Sequence, residues 1–200
     1  MNTVQQNTLT ELAKNHPLLK DSTLREAGVS SMAISRAVKA GTIIRLTRGL
    51  YQHPDAELDE NLSLSEVAAR TPKAVIVLLS ALQFHVIGTQ QPHSVWILLR
   101  QNAVKPRITY PAITVVKSSI DEAFTLGIDI HDLNGIPTAI TNPARTVVDC
   151  FKYRNRVGLD TCIEALKDII DRGVKPSEIM IYAKMQRVAK VMQPYIQALV

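Results

Sequence analysis

The apolar residues at the start of the chain recur at the spacing of helix faces. A first helix is predicted to end before His16-Pro17, and its apolar positions are Val4, Leu9, Leu12 and Ala13. A second, shorter helix is predicted to begin near Asp21, with Leu24 and Ala27 facing inward. The chain therefore opens with short amphipathic helices.

A third helix follows a turn centred on Gly28. Glycine adopts the left-handed backbone of a sharp turn without steric cost, and Ser30 is a typical N-cap residue. Ile34, Ala37 and Val38 then fall on one helix face. The opposite face, which is small, polar and cationic, begins at the cap and carries Ser30, Ser31, Met32, Ser35, Arg36 and Lys39. Two short helices joined in this way indicate a helix-turn-helix whose second helix reads the DNA major groove.

After Gly41 the apolar pattern changes from helical spacing to alternation. Residues 43–46 and 50–51 are predicted strands around a turn at residues 47–49. A hairpin that directly follows a recognition helix is the wing of a winged helix. The wing residues expected to contact DNA phosphates or the minor groove are Arg45, Thr47 and Arg48.

The distribution of charge marks the end of this module. Seven Lys and Arg against three Asp and Glu give residues 1–53 a net charge of +4, and an acidic run follows at residues 55–60. We therefore predict a winged helix-turn-helix DNA-binding domain at residues 1–54 and an acidic linker at residues 55–64. A C-terminal domain is predicted at residues 65–200.

The C-terminal domain alternates between strand-like and helical patterns. Residues 74–86 are almost wholly apolar and fit a helix or a buried strand; Ala81-Leu82 and Gly88 favour a buried helix. Short strand-like runs follow at 95–99, 108–110, 113–116, 128–130 and 136–140. The last two flank Asn134-Gly135, a strong hairpin signal. Helices are then predicted at 143–153, 159–171 and 176–191.

These elements predict an α+β fold class. It combines an N-terminal winged helix-turn-helix with a C-terminal α/β domain in which helices cover a small sheet. A hydrophobic content of 46% with 20% charged residues is that of a folded chain, and the net charge of +5 suits an anionic partner. Cys150 and Cys162 are too few for a disulfide scaffold and are expected to be reduced core residues.

Other features of the sequence narrow the function classes. The N-terminus is polar and the longest apolar run is far shorter than a membrane span, so we expect a cytoplasmic protein without a membrane partner. The five histidines are scattered without metal-ligand spacing, and no nucleophile or phosphate-binding motif is present. We therefore predict no catalysis, no metal and no cofactor.

Basic residues of the C-terminal domain each have two interpretations. Arg145 either pairs with Asp149, one helical turn away, or contacts phosphate or a partner protein. The remaining basic residues form a solvated face, or they extend a basic surface along bound DNA. They are Lys152, Arg154, Arg156, Lys184, Arg187 and Lys190.

Three stretches of the chain resemble the AbiE-type antitoxins, the regulator component of type IV abortive-infection toxin–antitoxin pairs. They read AGVSSMAISRAVKAGTIIRLTRGLY, SALQFHVIG and ITNPARTVVDCFKYR, and the resemblance covers about residues 5–175. The order of a recognition helix, a glycine, a hairpin and Arg-Gly-Leu-Tyr is the winged-helix pattern of this family.

The resemblance implies a bifunctional antitoxin. Its winged helix represses its own operon by binding inverted repeats in double-stranded operator DNA, and its C-terminal domain supports neutralisation of a cognate nucleotidyltransferase-like toxin. The residues that it implies as DNA contacts are Ser31, Ser35, Arg36, Arg45 and Arg48. The alternative is a stand-alone winged-helix regulator whose C-terminal domain senses a ligand or a partner.

Overall fold

The computed structural model describes residues 3–56 and 60–199 and divides into two compact units. The N-terminal unit is Met1–Ser65 with Asp132–Pro137, and the C-terminal unit is Glu66–His131 with Thr138–Val200. The predicted acidic linker contains residues 57–59, which lie outside the described residues.

The N-terminal unit combines helices with a small antiparallel sheet. Its elements are α1 (Thr3–Asn15), β1 (Leu18–Lys20), α2 (Asp21–Glu26), α3 (Ser31–Lys39), β2 (Ile44–Thr47) and β3 (Leu50–Gln52). The strand order is β1-β3-β2, and β3 is antiparallel to both neighbours. Helices α2 and α3 form the helix-turn-helix and strands β2 and β3 form the wing, so the predicted winged helix is confirmed.

An aliphatic core holds this unit together. Its buried members come from the helices and from the sheet and are Leu9, Ala13, Leu19, Leu24, Val29, Ala33, Ile34, Ala37, Ile43 and Tyr51. Strand β1 was not predicted, because Leu18 and Leu19 are both buried and lack the alternation of a half-exposed strand. The inward orientation predicted for Ala27 is wrong: α2 has ended by this residue, and its side chain is exposed.

The rest of the chain surrounds a mixed sheet with helices. Its elements are α4 (Leu62–Arg70), β4 (Val75–Ile76), α5 (Leu78–Phe84), β5 (Val95–Arg100), β6 (Ile113–Ser118), a 3₁₀ helix (Asp121–Phe124), β7 (Ile128–Leu133), β8 (Ile136–Thr141), α6 (Pro143–Lys152), α7 (Arg154–Val157), α8 (Leu159–Asp171), α9 (Pro176–Met185) and α10 (Ala189–Leu199). The strand order is β6-β5-β4-β8-β7. Strand β5 is parallel to β6 and antiparallel to β4, and β4 is parallel to β8. The α+β fold class is confirmed.

Three predicted elements differ from the structure. Residues 74–86 are divided between β4 and α5, because a continuous apolar run does not distinguish a buried strand from a buried helix. Residues 108–110, flanked by Pro106 and Pro111, form no strand. The helix predicted at 176–191 is two helices, α9 and α10, and Arg187, the middle one of the three residues between them, has φ = 62°.

Helix α6 is the central helix of the C-terminal unit and packs against α5, α8 and α9. The Asn142 Oδ1 accepts a hydrogen bond from the Arg145 N–H (2.9 Å), and Pro143 stands in the first turn of the helix. The eight residues from Ala144 to Phe151 are all buried. Cys150 and Cys162 are free and buried, as predicted, and burial raises the pKa of the Cys150 thiol.

Two kinds of feature are absent from residues 3–56 and 60–199. No helix in these ranges is long and apolar enough to cross a membrane. No group of three or more His, Cys, Asp or Glu side chains in these ranges is arranged to hold a metal ion.

Candidate nucleic-acid interface

Helix α3 presents a polar face to solvent. Gly28, with φ = 83°, makes the turn that precedes the helix, and the Ser30 Oγ accepts a hydrogen bond from the Ala33 N–H (3.3 Å). The opposite face of α3 packs into the core, where Ala33, Ile34 and Ala37 are buried. The predicted DNA contacts on the outer face are all exposed, and they are Ser30, Ser31, Met32, Ser35, Arg36 and Lys39.

A groove of about 680 Å³ separates α3 from the wing. The predicted DNA contacts that line it are Ser31, Ser35, Lys39, Arg45 and Arg48. Helix α2 adds Arg25 and Asp21, whose side chains form an ion pair (2.7 Å). Lys39, Arg45, Arg48 and Arg25 outnumber Asp21, so the groove carries a net positive charge. A groove of this kind can bind the phosphate backbone of a nucleic acid.

Backbone hydrogen bonds fix the wing beside this groove. The Asp21 N–H at the start of α2 donates to the Gly49 carbonyl oxygen (2.8 Å) at the wing turn, where Gly49 has φ = 79°. The register of β2 against β3 shifts between Arg45 and Thr47, and the Arg45 Nε donates to the Thr47 carbonyl oxygen (3.3 Å). Thr47 is half-buried and does not line the groove. The groove therefore does not include the contact with DNA that was predicted for Thr47.

Arg36 lies on the other flank of α3. It lines a separate cavity of about 250 Å³ together with Gln5, Gln6 and Leu9 of α1. Its Nη2 lies 3.2 Å from the Sδ of Met32, which is one helical turn earlier and 64% exposed. The outer face of α3 therefore has two parts: a row that faces the wing and the Met32–Arg36 pair, which does not.

Gln5 holds the start of α3 and was missed by the sequence analysis. Its Nε2 donates to the Gly28 carbonyl oxygen (3.0 Å), and its Oε1 accepts from the Ser30 hydroxyl (3.2 Å). One amide thus fixes both the turn and the N-cap residue. Gln5 and Ser30 are 25 residues apart, so no local pattern indicates their contact. Arg25 was also missed, although the basic charge of residues 1–53 was a signal for it.

Of the two interpretations of Arg145, the structure shows the pair with Asp149, and the burial of the side chain contradicts a contact with DNA or a partner. The Arg145 side chain is fully buried, and its Nη2 donates to the carbonyl oxygen of Ala123 in the 3₁₀ helix. The Arg145 Nε donates to the Asp149 Oδ1 (2.9 Å), and its Nη1 donates to the Leu126 carbonyl oxygen (2.7 Å). The Gln186 Nε2 donates to the same Asp149 oxygen (2.7 Å). Burial raises the pKa of Asp149, and the guanidinium of Arg145 opposes this shift.

The other basic candidates of the C-terminal unit differ in accessibility. The Lys152 Nζ donates to the Gln186 Oε1 (2.5 Å), and partial burial lowers the pKa of this amine. The Arg154 Nη1 donates to the Phe151 carbonyl oxygen (3.1 Å), and its side chain is half-buried. Lys184 and Arg187 are exposed. Lys152 and Arg154 are therefore less accessible than Lys184 and Arg187.

Known proteins resemble this chain in two ways. Residues 7–54 match the model of a family described as transcriptional regulator, AbiEi antitoxin, which confirms the resemblance over the winged helix. The crystal structure of the RV2827C protein from Mycobacterium tuberculosis is similar in fold, with a TM-score of 0.54 at 17% sequence identity over 97% of this chain and 81% of that one. At this identity the likeness concerns the fold alone. No curated protein matches the sequence.

Replacing Gln5 with alanine is expected to loosen the start of α3. The Gln5→Ala variant loses two hydrogen bonds, each worth about 0.5–1.5 kcal/mol, so the free energy of unfolding should fall and the amides of residues 30–33 should exchange faster. Denaturant titration measures the free energy of unfolding, and hydrogen–deuterium exchange measures the exchange rates of these amides. Gln6→Ala, at the exposed neighbouring position, is the control, and equal exchange in the two variants would contradict the role assigned to Gln5.

Replacing Arg145 with alanine is expected to destabilise the protein strongly. The Arg145→Ala variant leaves the carboxylate of Asp149 buried without its cation, at a cost of about 3–5 kcal/mol. Urea unfolding followed by circular dichroism measures this loss. Lys184→Ala, at an exposed position, should change the free energy of unfolding by less than about 0.5 kcal/mol. A loss at Arg145 no larger than at Lys184 would refute the buried ion pair.

Proposed function

We propose that this protein is the antitoxin of a type IV toxin–antitoxin pair and that it represses its own operon through the winged helix. The premise is the match of residues 7–54 to the AbiEi antitoxin and transcriptional-regulator family. The observation that carries the DNA-binding part is the cationic groove between α3 and the wing. It offers basic side chains to phosphates next to a helix whose exposed polar face fits a major groove.

Helix α3 supplies the sequence readout in this proposal. Its exposed first turn carries Ser31 and Met32, to which we assign contacts with a base edge and with a thymine methyl group. Arg36 is the candidate for guanine, because a guanidinium can donate two parallel hydrogen bonds to O6 and N7. Its contact with the Met32 sulfur holds the two side chains together on this flank of the helix.

The groove supplies affinity that does not depend on sequence. Lys39 on α3 and Arg45 and Arg48 on the wing converge on it, and Arg25 adds a charge from α2. A phosphate backbone lying in the groove releases counterions from the DNA, and this release makes binding depend on salt. Ser35 lines the same groove and is placed for a phosphate or a base edge.

The antitoxin part of the proposal assigns a nucleotidyltransferase-like toxin as the partner. It is supported by the antitoxin description of the matched family. The C-terminal unit has a core of its own, built around α6, which is separate from the core of the winged helix. A body with its own core can carry a second function while the winged helix binds DNA.

The Arg36→Ala variant is expected to lose discrimination between operator and random DNA. One lost base contact should cost about 1–3 kcal/mol with the operator and little with random DNA. Arg45→Ala and Arg48→Ala should instead weaken binding to all sequences and lower the salt slope by about one each. Fluorescence anisotropy at several salt concentrations measures both quantities. Arg107→Ala, at an exposed position outside the winged helix, is the control.

Normal discrimination by Arg36→Ala would contradict the orientation proposed for α3. An unchanged salt slope in both wing variants would contradict the assignment of the groove to the phosphate backbone.

Co-expression with a neighbouring nucleotidyltransferase gene tests the antitoxin part. The wild-type chain should restore growth, and so should the full-length Arg36→Ala variant, because neutralisation is assigned to the C-terminal unit. Growth curves after toxin induction measure the rescue. A wild-type chain that binds operator DNA and gives no rescue would favour the stand-alone regulator.

A further inference from the structure

An accessible methionine lies on the outer face of the recognition helix α3. Met32 is 64% exposed. The other methionines within residues 3–56 and 60–199 are less accessible: Met180 and Met185 are half-buried, and Met192 is fully buried. A thioether is oxidised where an oxidant can reach its sulfur. An oxidant in solution therefore reaches the Met32 sulfur more readily than those of Met180, Met185 and Met192.

The two cysteines do not compete with Met32 for an oxidant. Cys150 and Cys162 are both buried in the C-terminal unit. Burial raises the pKa of the Cys150 thiol, and it raises the pKa of the Cys162 thiol to about 11. Peroxides react with the thiolate, so a buried thiol that stays protonated is inert. Oxidation within the described residues should therefore begin at Met32.

The Met32 sulfur also contacts the residue that is proposed to read guanine. The Arg36 Nη2 donates to the Met32 Sδ (3.2 Å), and both side chains are exposed. A thioether sulfur is a weak acceptor, so this hydrogen bond leaves the guanidinium available for a base. A sulfoxide oxygen bonded to the same sulfur is a stronger acceptor, and it lies within reach of the same Nη2.

We propose that Met32 is a reversible oxidation site that switches off operator recognition. The oxidant is a peroxide: the sulfur donates an electron pair to one peroxide oxygen, the O–O bond breaks, and the other oxygen leaves as water with the proton of the first. The sulfoxide oxygen then accepts a hydrogen bond from the Arg36 guanidinium in place of guanine. This inference rests on the proposed function, which assigns guanine to Arg36 and a thymine methyl group to Met32.

The sulfoxide also changes the surface that faces the bases. Oxidation converts an apolar side chain into a polar one, so the contact of Met32 with a thymine methyl group is lost as well. The basic residues of the groove, Lys39, Arg45 and Arg48, contain no sulfur and keep their charge. Oxidation should therefore remove discrimination between sequences and leave the salt-dependent binding to random DNA.

Treatment of the full-length protein with hydrogen peroxide tests this switch. Peptide mass spectrometry should find the sulfoxide at Met32 before Met180, Met185 or Met192, with the circular dichroism spectrum unchanged. Fluorescence anisotropy should then show an operator affinity at least about tenfold lower and a random-DNA affinity changed by less than about twofold. Methionine sulfoxide reductase with a dithiol should restore the operator affinity, because the sulfoxide oxygen leaves as water while the dithiol becomes a disulfide.

Three variants locate the effect of peroxide. Met32→Leu removes the sulfur, so its operator affinity, whatever the value, should be the same before and after peroxide. Met185→Leu, at a half-buried position outside the winged helix, is the matched control and should keep the peroxide response of the wild type. Arg36→Ala has no guanidinium for the sulfoxide to hold, so peroxide should lower its operator affinity by a smaller factor than in the wild type.

The outcomes separate the switch from the proposed function. A sulfoxide at Met32 with unchanged operator affinity overturns the switch, and so does a wild-type peroxide response in Met32→Leu or in Arg36→Ala. Oxidation that begins at Met180, Met185 or Met192 also overturns it. If the unoxidised wild-type chain does not discriminate operator from random DNA, the proposed DNA-binding function itself fails, and the switch fails with it.

Discussion

The hydrogen bonds around Gly28 and Ser30 are the constraint on which the winged helix depends. They set where α3 begins, because Ser30 caps the helix while Gln5 holds both the cap and the turn. The start of α3 determines which residues point outward, and the bond from Asp21 to Gly49 places the wing beside them. Backbone geometry therefore sets the position of the groove between α3 and the wing. The basic side chains on these elements give the groove its positive charge.

The winged helix could be predicted from the sequence because its signals are local. The turn glycine, the capping serine and the change of period after Gly41 each act within a few residues, and the winged helix follows from them. Features made by distant residues could not be predicted. Strand β1 exists because it pairs with β3, and Gln5 reaches a turn that is far along the chain. The Arg145–Asp149 pair is buried against groups that are distant in sequence, namely the Ala123 and Leu126 carbonyl oxygens and the Gln186 side chain.

Two unfavourable features of the C-terminal unit have different explanations. The buried charge of Arg145 is compensated by Asp149 and by carbonyl oxygens, so it is part of the interior of the unit. The left-handed backbone of Val86 is held by Arg172, yet its exposed side chain gains no packing in return. The buried charge is therefore explained by its partners within the unit, whereas the backbone of Val86 is held by Arg172 without any gain in packing.

We propose that the groove between α3 and the wing receives operator DNA. The most direct measurement is the change in backbone amide NMR signals when the full-length protein is titrated with operator duplex. If DNA lies in this groove, the largest changes will fall in residues 31–39 and 44–50, which form α3 and the wing with its turn. Changes confined to the C-terminal unit, with these two segments unaffected, would contradict it.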